Sequence, residues 1–127
     1  MTTIGQGAFD ECSALNTVNL PLVESISSLA FRQCAALTRL DLPLVTNIGV
    51  QAFYGSNIET LILRSNTMCT LENASAFYFT PIEAGMGSIY VPSALIDTYK
   101  ADEAWSVYAN YFKAIEDYPE IINDLEV

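Results

Sequence analysis

The chain has 127 residues, 51% of them hydrophobic and 16% charged; 15 acidic residues against 5 basic ones give a formal net charge of −10, and there is no histidine. That length suits one domain, the apolar fraction is too high for disorder, and an acidic surface repels phosphate backbones, so no nucleic-acid partner is expected. Without histidine there is no Ser-His-Asp or Cys-His catalysis and no imidazole metal ligand, and no apolar run approaches the ~18 residues that would insert into a membrane.

The opening segment, Met1 to Gly7, lacks a basic start and an apolar core, so it is not read as a signal peptide. A repeat follows at once. Residues 4–25 read IGQGAFDECSALNTVNLPLVES and residues 26–47 read ISSLAFRQCAALTRLDLPLVTN, with ten of these 22 positions identical. A third copy, 48–69, keeps Ile48, Ala52, Phe53, Ile58, Leu61 and Leu63. A degraded fourth copy, 70–92, opens at Leu71, carries Ala76-Phe77 and ends on Ile89-Tyr-Val-Pro92. An insertion near Ser65 to Glu72 separates the last two.

The period of 22 lies in the leucine-rich-repeat range. Val18 and Leu20 alternate with Thr17 and Asn19, which predicts a short strand with one buried face. The alternation recurs at Leu40/Leu42, Leu61/Leu63 and Ile89/Val91, and Pro21, Pro43 and Pro92 end three of these strands. The Ala-Phe pairs predict a short helical or 3₁₀ turn in each unit. One unit cannot bury its own apolar side, but stacked units can, so Phe is expected over Phe and Leu over Leu. Cys12 and Cys34 then share a rung as buried thiols, with Ser56 at or near the third. Cys69, in the insertion, is expected to be the accessible thiol.

The motif I-x-x-x-A-F-x-x-C-x-x-L-x-x-[VL]-x-L-P at 4–21 and 26–43 resembles the BspA-type leucine-rich repeats of bacterial surface and secreted proteins and of some phage proteins. The resemblance runs over about residues 4–92 and extends to the tail through Ile115. It implies an α/β solenoid, right-handed, with short parallel strands and a small helical C-terminal cap. It also implies adhesion or recognition outside the cell, and no catalytic set to transfer. The third copy departs from the motif where Arg64 replaces the proline.

The cap is expected over 93–115. Ser93 is a candidate N-cap, Leu95 and Tyr99 share a face, and Ala104, Trp105, Tyr108 and Phe112 recur at helical spacing. Helices are predicted over 93–101 and 103–109. The aromatic cluster is read as packing over the open end of the stack, with a carbohydrate platform as the minor alternative. Residues 116–127 carry five acids and no base, and read as a loosely held tail. Residues 93–127 hold eight acids and two bases, against seven and three in residues 1–92, so the acidity gathers in the cap and tail.

The outward columns of the main sheet are predicted as Thr17, Arg39, Thr60, Ser88 and as Asn19, Asp41, Ile62, Tyr90. Arg39, Asp41, Glu59, Ile62 and Tyr90 are the candidate ligand-binding residues, Ile62 and Tyr90 because they are apolar among polar neighbours. Arg39 and Asp41 are expected to pair with each other. A face of four such strands covers roughly 300 Å², well short of the ~800 Å² per partner of a standard interface. Asp41 and Glu59 lie on neighbouring strands, yet no pocket is implied, so the chain is not read as an enzyme. No metal motif or cofactor site is present in the pattern. The expected role is a non-catalytic recognition or adhesion module of a larger cell-surface or secreted protein, its partner a protein or glycan on a host or neighbouring cell. The alternatives are a spacer or cap without a ligand, and a part of a phage tail protein. Copy one has no cap before it, so the chain is expected to be a fragment, or else to self-associate through that repeat.

Overall fold

The computed structural model describes residues 3–16, 18 and 20–118. Eight short strands occur in chain order: β1 (Thr3–Ile4), β2 (Ser25–Ile26), β3 (Arg39–Leu42), β4 (Asn47–Ile48), β5 (Thr60–Leu63), β6 (Thr70–Leu71), β7 (Ser88–Val91) and β8 (Phe112–Ala114). They form two four-stranded sheets, ordered β1-β2-β4-β6 and β3-β5-β7-β8. All six pairings are parallel. A parallel neighbour must be reached by a crossover, and here the crossover is the rest of one repeat.

The apolar pattern explains the register. Ile4, Ile26, Ile48 and Leu71 pair in one column of the first sheet, and all four are buried. Leu40, Leu61, Ile89 and Phe112 form the matching column of the second, also buried. A slip of one residue would turn either column out to solvent, which fixes the pairing.

Between the sheets runs a turn that repeats with the sequence. Phe9, Phe31, Phe53 and Phe77 stack along it with ring centroids 5.2, 5.5 and 5.4 Å apart. The backbone is stitched the same way. Phe9, Phe31 and Phe53 donate their N–H groups to the carbonyls of Ala30, Ala52 and Ala76 in the next unit. Glu11, Gln33 and Gly55 donate to Arg32, Tyr54 and Tyr78. In the first two repeats N–H groups point along the stack three times within five residues, from Gly7, Phe9 and Glu11 and from Leu29, Phe31 and Gln33, and the backbone on either side of the Ala-Phe pair is left-handed. Gly7, Leu29 and Gln51 take φ of 64°, 61° and 56°, and Glu11, Gln33, Gly55 and Phe79 take 59°, 57°, 72° and 62°. Most are not glycine, so the fold holds them there against a local cost of ~1–2 kcal/mol each.

The rung of Cys12, Cys34 and Ser56 repeats in its backbone bonding, but only Cys34 is a buried thiol; Cys12, expected to be buried with it, is half-buried. The N–H groups of Cys12, Cys34 and Ser56 each donate to the Phe three residues earlier. All three cysteines are free, and the Cys34 thiol donates to the Phe9 carbonyl at 3.1 Å.

The C-terminal part departs from the sequence reading. A 3₁₀ turn at Ser93–Leu95 leads into α1 (Ile96–Ala101), and a second 3₁₀ stretch runs over Trp105–Tyr111 with a kink at Tyr108. Asp97 in the first turn of α1 and Lys100 in its last suit the helix dipole. Ser93 is not the N-cap. Its N–H instead donates to the Glu116 carboxylate at 2.9 Å. Phe112 was expected on the helical set, but the chain turns extended there and β8 joins the second sheet beside β7. At the other end, Val18 and Leu20 lie outside any strand, and Thr17 and Asn19 fall outside the described residues. The second sheet still has four strands, because β8 is added beside β7, at the end opposite the one where the first repeat was expected to contribute a strand.

Candidate functional site

The outer face of the second sheet was the sequence candidate. Its columns are as predicted from Arg39 onward: Arg39 pairs in register with Thr60 and Thr60 with Ser88, while Asp41 pairs with Ile62 and Ile62 with Tyr90. β8 lengthens the second column with Lys113. What covers the columns was not visible in the sequence.

Ile62 is buried completely. It packs in a small cluster of its own with Ile115, against Tyr90 and Tyr118. The 3₁₀ turn at Ile115–Asp117 folds the chain back over the sheet, so the residues expected to open a loose tail are part of the structure as far as Tyr118. Tyr90 is half-buried, its ring edge-to-face with Tyr118 at 5.1 Å, and the Lys113 ammonium lies 5.8 Å from the centre of the Tyr118 ring. Ile62 is therefore no solvent-facing apolar residue.

Asp41 is taken by Arg64 of the following repeat. The pair is bidentate, with Nε–Oδ1 and Nη2–Oδ2 both at 2.8 Å. The departure from the motif explains it: with arginine in place of proline, residue 64 can donate its N–H to the Leu42 carbonyl as well as its guanidinium to Asp41. Arg39 and Glu59 keep their exposure. Of the five candidates, two are solvent-exposed, one is tied to a neighbouring repeat, one is half-covered and one is buried.

A second charged pair lies on the turn edge. Arg32 reaches back to Asp10 at 2.8 and 2.9 Å. That hydrogen bond holds the Asp10 carboxyl below its ordinary range.

The cap seals the C-terminal end of the phenylalanine ladder. Tyr99, Trp105 and Tyr108 are fully buried. Trp105 and Tyr108 pack on Phe77 with centroids at 5.8 and 5.4 Å. Each aromatic also finds a backbone partner. The Tyr99 hydroxyl accepts the Cys69 N–H at 2.7 Å, the Trp105 indole donates to the Cys69 carbonyl at 2.8 Å, and the Tyr108 hydroxyl donates to the Ala74 carbonyl. Cys69 is thus enclosed, not accessible, and burial pushes its thiol up to about 12. The sequence reading treated the insertion as a surface loop, when it is the seat of the cap.

A cleft of about 510 Å³ opens between the fourth repeat and the cap, lined by Leu71, Glu72, Asn73, Tyr78, Asp102 and Glu103 among others. Two of its carboxylates are already engaged. Glu72 accepts from the Asn47 amide, and Asp102 accepts from the N–H groups of Ala104 and Trp105. Among the described residues no three His, Cys, Asp or Glu side chains gather as a metal site requires, and no helix is long and apolar enough to cross a membrane.

Parallel strands paired across one repeat, with one buried Phe and one buried aliphatic column per unit, define a leucine-rich repeat protein. The model of the BspA type leucine rich repeat region (6 copies) matches residues 1–99, and the chain belongs to that family. No curated protein matches it in sequence. The family is one of protein-interaction and adhesion modules and is in general not catalytic.

Proposed function

We propose that the chain is a segment of a right-handed solenoid that serves as a non-catalytic recognition module of a cell-surface or secreted bacterial protein, and binds a protein or glycan on a host or neighbouring cell. The observation that carries this reading is the register of the second sheet. Identical positions of successive repeats lie side by side, so a ligand can be read by a row of side chains on a rigid support. That row is Arg39, Thr60 and Ser88, with Arg39 exposed, Thr60 and Ser88 half-buried, exposed Glu59 flanking it and Tyr90 bordering it.

The test is retention of candidate surface proteins and glycans on the immobilised chain, with the charge reversals Arg39→Glu and Glu59→Lys. Both positions are exposed, and circular dichroism reports whether each variant keeps the parent fold. Weakened retention by either variant supports the sheet face. Retention equal to the parent removes that face from consideration. A second reading, a spacer or cap without a ligand, in a surface protein or a phage tail, draws support from the cover over Ile62 and the tie between Asp41 and Arg64. On that reading no ligand is retained at all.

A further inference from the structure

The turn edge carries a second surface, unconnected with the sheet face. The residues that follow each ladder phenylalanine form two columns. One is Asp10, Arg32, Tyr54 and Tyr78; the other is Glu11, Gln33, Gly55 and Phe79, all four left-handed. The edge is ionic in the first two repeats, where Arg32 holds Asp10. It is aromatic in the last two. Gly55 has no side chain, so Phe79 meets the Tyr54 ring edge-to-face at 5.2 Å with the planes 76° apart. The two rings make a corner, with Tyr78 beside it.

Phe79 combines two unfavourable features. Its side chain is 71% exposed, and its φ of 62° is one that a bulky residue rarely adopts. The other repeats fill that slot with Glu, Gln or Gly. The strain is held by a clip: the Glu83 carboxylate accepts the Phe79 N–H at 2.7 Å, and the Thr80 hydroxyl accepts the Glu83 N–H at 3.3 Å. The backbone that carries the ring is thus held before any ligand arrives, and the Tyr54 ring borders it on one side, which lowers the entropy lost on binding.

We infer that Tyr54, Tyr78 and Phe79 form a binding platform for a neutral polysaccharide. The C–H face of a pyranose ring stacks on an exposed aromatic, and phenol hydroxyls with the nearby Gln33 amide suit its hydroxyl groups. Three observations favour this occupant over others. The backbone N–H groups of Gln33 and Gly55 are spent on the next repeat, so an extended peptide finds no free ladder donor there. Proline-rich peptides dock in aromatic-lined grooves, whereas Phe79 stands out as a platform. The net charge of −10 disfavours anionic polymers and anionic lipid surfaces.

The experiment is affinity electrophoresis of the whole chain in gels cast with one neutral polysaccharide each: a β-1,3-glucan, a β-1,4-glucan, a mannan and a galactan. Phe79→Gly removes the ring at a backbone angle that glycine adopts freely, and Phe79→Trp keeps an aromatic there. The expected result is retardation of the parent in at least one gel, about tenfold weaker affinity for Phe79→Gly with no fall in melting temperature, and retention of binding by Phe79→Trp. No retardation of the parent in any gel overturns the inference. So does equal retardation of Phe79→Gly, or a parent dimer that becomes a monomer in Phe79→Gly, which would make the corner a contact between copies.

Discussion

At Ser56 the third repeat places a hydroxyl where the first two place thiols. Ser56 is fully buried, and its hydroxyl meets no hydrogen-bond partner among the described residues. A buried hydroxyl left unpaired costs about 1–3 kcal/mol. A thiol tolerates the same slot, as Cys34 shows by donating to the carbonyl of Phe9 one repeat back, and burial raises its pKa, so the thiol stays neutral inside. Ser56→Cys should therefore raise stability by about 1 kcal/mol, measured by urea unfolding with unchanged slope. A loss of stability would show that the hydroxyl is satisfied in solution. The rung itself was legible from spacing alone, because Cys12, Cys34 and Ser56 are 22 residues apart. The unpaired hydroxyl was not, since satisfaction depends on atoms a whole repeat away.

Among the elements, the phenylalanine ladder and the cap behave differently. Phe53 lies between Phe31 and Phe77 and is fully buried, whereas Phe9 has one ring neighbour and is half-buried. Phe53→Ala should cost about 3–5 kcal/mol, the usual range for an aromatic deleted from a core, and Phe9→Ala clearly less; equal losses in denaturant unfolding would contradict the stacked description. In the cap, burial pushes the Cys69 thiol up to about 12 from its ordinary 9.0 and the Tyr99 phenol up to about 12 from 10.0, and raises Tyr108 as well. The unfolded chain loses these protons first. Their contribution to stability is complete below pH 9 and fades as pH rises from there through 12. Unfolding midpoints followed from pH 8 to pH 11 should fall, and Cys69 should resist a thiol reagent until they do, while half-buried Cys12 reacts at neutral pH. Early modification of Cys69 would mean that the cap does not sit on the insertion. The sequence could not show this seat. Tyr99 and Trp105 reach Cys69 across 30 and 36 residues, and only the repeat part of the chain has a period to read. β8 was hidden for a related reason: the alternation of Phe112, Lys113 and Ala114 spans only three residues, and Phe112 also fits the helical spacing of Trp105 and Tyr108.

On the scale of the whole chain, the stability of a repeat stack is approximately the sum of its rungs and of the contacts between neighbouring ones. The sum is uneven. The second and third repeats have neighbours on both sides, and their Phe31, Phe53, Leu37, Ile58, Leu40 and Leu61 are all buried to within 1%. The fourth leans on the cap, where Tyr99, Trp105 and Tyr108 close the stack. In the first repeat Phe9, Cys12, Leu15 and Val18 are only partly buried against the core. Opening of that repeat releases Ile4, Leu20 and Val23, its only buried apolar residues among those described, far less apolar surface than global unfolding exposes, and breaks the hydrogen bonds from Gly7, Phe9 and Glu11 to Ser28, Ala30 and Arg32, leaving the later rungs intact. Amide hydrogen exchange of the chain should therefore show a gradient. The Phe53, Gly55 and Leu61 amides should exchange only with global unfolding, and those of Phe9 and Glu11 should exchange earlier by a local opening that denaturant hardly affects. Uniform protection from Phe9 to Leu61 would mean that the chain unfolds as one unit, and that the first repeat is held by contacts beyond those of its own turn.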